Sequence, residues 1–136
     1  MAALTKGRNT PERSGDERTL PVDGGSSIFA GAMVALNAAG FLVPFAVATT
    51  LKSVGRAEQS VDNTAGADGD KGCRVRAGVF RFANSAAGDL IARADIGADC
   101  YGVDDQTVAK TNGTNTRSVA GKIWDVDAQG VWVKFS

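Results

Sequence analysis

Histidine is absent from this chain of 136 residues. With it go the commonest general base and the commonest metal ligand near neutral pH, which weakens most enzyme readings at the outset. Cysteine is scarce. Cys73 and Cys100 are the only two, too few for a disulfide framework and without the close paired spacing of a zinc site. They read either as two reduced, half-buried thiols of a cytoplasmic protein or as a single Cys73–Cys100 bridge. Net charge is missing too, because 15 Lys and Arg stand against 15 Asp and Glu. No overall electrostatic pull draws such a chain to nucleic acid or to an anionic membrane. No glycine loop for phosphate, nucleophile elbow or aromatic nucleic-acid platform is present.

What the chain has is glycine, 17 of them against 3 prolines, with alanine, valine and threonine throughout. That composition suits short strands and tight turns. The length is that of one domain. From Gly24 to Leu51 no residue is charged, a run long enough to span a bilayer as a helix. Gly31, the Asn37-Ala38-Ala39-Gly40 turn and Pro44 would break such a helix, so the run reads as a hairpin: Ile28 to Leu36 outward, Phe41 to Ala48 back, with Pro44 at an edge or bulge. Ala46-Val47-Ala48 has the small residues of a signal cleavage site. The segment before it is about twice the usual length and carries acids as well as bases, so it is not read as a signal.

Residues 1 to 19 hold Lys6, Arg8, Arg13 and Arg18 against Glu12, Asp16 and Glu17, with few apolar groups to offset the entropy of ordering them. They read as a flexible N-terminal arm, and residues 20–136 as a single β domain. Lys52 to Ala57 is a short strand, and Asp62 to Gly72 a turn-rich loop whose three acids and glycines lack calcium-loop spacing. Cys73, Val75, Ala77 and Val79 fall on one strand face and Arg74 and Arg76 on the other, until Phe80 and Phe82 break the alternation and imply a bulge near Gly78 or an edge buried on both sides. Arg74, Arg76 and Arg81 either grip a partner's carboxylates or keep a strand face wet. Leu90 to Ala98 holds a helical turn at most, Cys100 to Val108 resumes as strand, and Asn112-Gly113 signals a hairpin. Ala120 to Val126 and Val131 to Phe135 form a closing hairpin that places Val131, Val133 and Phe135 on one face. Trp132 takes the other face, where it can meet Trp124. Asp125 and Asp127 share a face beside that turn, where aspartates commonly cap backbone amides.

The residues Ile28-Phe29-Ala30-Gly31-Ala32-Met33-Val34-Ala35-Leu36, Gly55-Arg56-Ala57, Val61 to Gly69, Gly78 to Asn84, Tyr101 to Val108, Ala120 to Asp127 and Gly130-Val131-Trp132-Val133 together resemble the small head proteins of Mu-like tailed phages and prophages. The likeness covers about residues 20 to 136. It implies a small β-barrel or β-tulip-like protomer with at most one short helix, and no enzyme. The implied role is that of a capsid decoration or cement protein, analogous to the head decoration protein of phage lambda: a homotrimer on the outer surface of the expanded head at threefold and quasi-threefold positions, stabilising the shell against internal DNA pressure. Its implied partner is the major capsid protein and its implied place the virion, after synthesis in the bacterial host cytoplasm. No cofactor, metal, small-molecule substrate, nucleic acid or membrane is expected. By this analogy Arg13, Arg18, Thr19, Leu20, Pro21 and Val22 are candidates for capsid contact, the last four by adding a strand to a shell-protein edge. Phe80, Phe82 and Trp132 are candidates for the trimer seam, although the two phenylalanines fit a core equally well. A head-completion or tail-tube protein, and a small membrane-associated protein, are the alternatives.

Overall fold

The structure is a computed structural model that describes residues 2–136. It is all-β, as expected, and its sheets do not close into a barrel. Twelve strands, β1 (Glu17–Pro21), β2 (Ser27–Ile28), β3 (Met33–Leu36), β4 (Leu42–Pro44), β5 (Lys52–Ala57), β6 (Val61–Asp62), β7 (Gly72–Arg76), β8 (Gly78–Phe82), β9 (Asp99–Gly102), β10 (Val108–Ala109), β11 (Val119–Asp127) and β12 (Gly130–Phe135), are accompanied by two single 3-10 turns at Ala87–Asp89 and Arg93–Asp95. The turn at Arg93–Asp95 lies in the stretch Leu90 to Ala98 where one helical turn was expected, and the turn at Ala87–Asp89 is additional.

The first sheet has the order β1-β7-β5-β3-β4 and the second β10-β9-β11-β12-β8, both antiparallel. Each sheet curls until its two edges touch at one parallel bridge, Val22 to Leu42 in the first and Ala83 to Thr107 in the second. A single bridge joins the edges without sealing them. β7 and β8 are separated only by Ala77, so here the chain leaves one sheet and enters the other. This crossing is why the alternation of Cys73 to Val79 slips at Phe80: the inward face changes because the sheet changes.

The uncharged run is explained by β3. Met33 and Ala35 lie in the core beneath the second sheet, while Val34 lies in the core beneath the first, and all three are fully buried. A strand packed on both faces has no position left for a charge. The predicted return strand stops at Pro44, which pairs with Val34 on the edge strand β4. The turn between them is held by Asn37 Oδ1, which accepts from the amides of Ala39 and Phe41, both at 3.0 Å. Among the described residues no helix is long and apolar enough to cross a membrane. Cys73 and Cys100 are both free and buried, one in each core, so the bridged alternative is replaced by the two-thiol one. Burial pushes the Cys73 thiol up and that of Cys100 to about 12.

Candidate functional site

Where the two sheets meet, an open groove of about 890 Å³ is lined by Asp16, Gly31, Arg56, Arg76, Phe80, Arg81 and Trp132 among others. Three pairings assemble it. β5 brings Arg56 opposite Arg76 of β7, β1 brings Glu17 opposite the same Arg76, and β8 brings Arg81 opposite Trp132 of β12. The residues come from five separate stretches of sequence, and no local pattern marks them as one surface.

Two aromatic rings in the groove, Phe80 and Trp132, each carry a cation. The Arg56 guanidinium lies 4.0 Å from the Phe80 ring centroid and is held there by a two-pronged contact to Glu58, at 2.9 and 3.0 Å. The Arg81 guanidinium lies 5.6 Å from the Trp132 ring and donates to Gln129 Oε1 at 3.3 Å. Trp132 is fixed from its other side, because its Nε1–H donates to Asp127 Oδ2 at 2.9 Å. That bond, with the amides of Gln129 and Gly130, holds the Asp127 carboxyl below its ordinary range. Asp127 therefore caps its turn. Arg76 and Arg81 form no ion pair among the described residues, whereas Arg74 is taken by Glu17 at 3.1 Å. Arginine and tryptophan are among the types that dominate protein contacts energetically; here Arg56 and Trp132 are half-buried and Arg76 and Arg81 exposed. Phe29, 66% exposed, stands in the turn that carries Gly31 to the groove.

The expected seam residues separate on this surface. Phe80 and Trp132 are half-buried in the groove wall. Phe82 belongs to the core instead: it is 7% exposed and meets Phe135 edge-on at 5.9 Å. It cannot serve as a seam while that packing holds. Trp124 and Trp132 do not pair. A bulge between Ile123 and Asp125 shifts the register, so Asp125 and not Trp124 sits opposite Trp132, and Trp124 is covered by Lys134 at 5.1 Å.

The arm is shorter than expected and its last residues are already used. Glu17–Pro21 is the edge strand β1 of the chain's own sheet. The Ala77 amide donates to Asp16 O at 2.7 Å and the Val22 amide to Lys71 O at 2.8 Å. Backbone groups of even-numbered residues therefore face β7, and those of Glu17, Thr19 and Pro21 face outward. Pro21 has no N–H to offer. Val22 is fully buried, and its carbonyl accepts from the Gly69 amide and from Asn63 Nδ2. Val22 is thus removed from the contact candidates, and the free strand edge lies at Glu17 to Thr19. Arg13, Arg18 and Thr19 are exposed and line a shallow cleft with Arg74. Residues 2–16 are exposed throughout and carry no strand or helix.

Sequence reasoning picked out Arg76, Arg81, Phe80 and Trp132 one by one. It missed Asp16, Arg56 and Phe29, for which the only available signal was an apolar residue, Phe29, in a glycine-rich turn. Among the described residues no three His, Cys, Asp or Glu side chains gather in a way that would hold a metal ion. No family model, no curated protein and no solved structure matches this chain.

Proposed function

We propose that this chain is a phage capsid decoration protein, which trimerises on the outside of the expanded head at its threefold and quasi-threefold positions and stabilises the shell. The resemblance of residues 20 to 136 to small head proteins supplies the reading. The observation that carries it on the molecule is the continuity of three features: an exposed arm of residues 2–16, a free strand edge at Glu17 to Thr19, and the arginine and aromatic groove that begins at Asp16. An arm that continues an edge strand can add backbone hydrogen bonds to the shell protein's sheet while the groove beside it remains free for a neighbouring copy. Repeated over a lattice, many weak contacts of this kind act together.

The test is sedimentation with emptied, expanded capsids that lack the protein. The intact chain is expected to pellet with the shells, and a chain lacking residues 2–16 to lose at least tenfold in occupancy. Equal occupancy by the two would remove the arm from the contact, and recovery of the intact chain in the supernatant would remove the decoration reading. Binding in only a few copies per particle would favour a head-completion or tail-tube role.

A further inference from the structure

The basic groove has an acidic counterpart at the other end of the first sheet. β1 and β7 run from Asp16 and Ala77 at the groove to Pro21 and Gly72, where the loop 62–71 projects. Five strand residues at ~3.3 Å each separate the two features by ~17 Å. In the groove, three arginines, Arg56, Arg76 and Arg81, face one carboxylate, Asp16. In the loop, Asp62, Asp68 and Asp70 outnumber Lys71, and all four are exposed.

The loop is held ready. Asn63, 1% exposed, donates through Nδ2 to the carbonyls of Val22 and Asp23, both at 3.2 Å, and Ala67 at 3.0 Å. Among the described residues its Oδ1 has no hydrogen-bond donor, and it faces Gly66, where a Cβ would fall 2.1 Å away; only glycine fits there. Asp68 Oδ1 accepts from the Gly24 amide at 2.8 Å and Asp70 Oδ2 from the Ala67 amide at 2.9 Å. Each carboxylate is thereby aimed, with its second oxygen unclaimed among the described residues. A pre-ordered loop loses little entropy on docking. The exposed methyls of Ala65 and Ala67 lie between the acids, matching a groove in which Phe80 and Trp132 lie between arginines.

The geometry points to a head-to-tail contact between copies of this chain, in which the loop 62–70 of one copy enters the groove of the next and Asp68 and Asp70 face Arg76 and Arg81. Arg56 contributes less, since Glu58 already holds it. A patch that meets a different patch gives a heterologous contact, which closes into a ring when the rotation allows. A ring of three is the assembly in the proposed function, and the inference rests on that part of it.

The experiment measures self-association of the full chain by analytical ultracentrifugation at low and high salt. The unaltered chain is expected to associate at low salt and to weaken at least tenfold at high salt. Arg76→Glu with Arg81→Glu, or Asp68→Lys with Asp70→Lys, is expected to weaken association at least a hundredfold, and all four changes in one chain to restore it to within a few-fold. Should the lysine variants fail to fold, Asp68→Asn with Asp70→Asn keeps the oxygens that cap Gly24 and Ala67 and is expected to weaken association about tenfold. An unaltered chain that stays monomeric at millimolar concentration overturns the contact, as does a four-fold variant no better than its parents. Capsid sedimentation is scored separately: a groove variant that self-associates normally yet leaves the capsid assigns the groove to the shell protein and also overturns the contact.

Discussion

The core beneath the first sheet is aliphatic: Val22, Ile28, Ala32, Val34, Leu42, Val54, Ala57, Val61, Cys73 and Val75. The core beneath the second sheet carries rings, with Phe45, Phe82 and Phe135 set among Met33, Ile91, Ile123, Val131 and Val133. The two sheets have the same strand number, the same antiparallel pairing and the same single-bridge contact between edges, so the difference lies in how each interior is finished. Aromatic rings fill the second to the backbone: a Cβ on Gly102 would fall 2.1 Å from the Phe45 ring. The first has no ring, its largest side chains being those of Ile28 and Leu42, and its loop end is closed by the buried amide of Asn63. An apolar core tolerates a polar plug when the plug's hydrogens all find acceptors. The acidic loop is rigid as a by-product of that closure. β3 belongs to both interiors, so the two lobes should not unfold independently.

Four measurements break or sharpen this contrast. Phe45→Ala is expected to cost about 3–5 kcal/mol of unfolding free energy in urea, the range for removing a buried ring from a core that cannot collapse around it. The alkaline limb comes next. The Cys100 thiol stays neutral in the folded chain up to about pH 12 against an ordinary value of 9.0. Its contribution is therefore complete below pH 9 and is lost between pH 9 and 12, at up to roughly 1.4 kcal/mol per unit. Cys100→Ala should flatten that limb, and Cys73→Ala should change it less. Asn63→Ala is expected to cost about 2 kcal/mol; it should speed amide exchange at Val22, Gly25 and Gly69 while leaving Val131 and Val133 protected. Smallest is Trp132→Phe, which removes only the indole bond to Asp127 at an exposed turn and should cost under about 1 kcal/mol.

Much of this architecture could be read from residues. The alternation through β7, the closing hairpin and the Asn37–Gly40 turn each follow a local rule and stand where the rule puts them. What was hidden depends on distant pairing. Glu17, Arg18 and Thr19 form a strand with no apolar period because an exposed edge strand is held by backbone bonds, and composition does not register those. The bulge at Trp124 adds one residue to a regular pattern and so parts two tryptophans that spacing alone would pair. The groove was half visible. Arg76, Arg81, Phe80 and Trp132 stand out singly, but their company with Asp16 and Arg56 comes from β5 and β1 flanking β7, a juxtaposition over 60 residues that no window of sequence contains.

The central claim, that this surface decorates a shell, is tested most directly by counting copies on emptied, expanded capsids saturated with the protein and heating the shells with and without it. The account predicts three copies for every threefold and quasi-threefold position of the lattice, with a higher temperature of shell disruption. A count tied to a single vertex or to none, or decorated shells that open at the same temperature as bare ones, would contradict it.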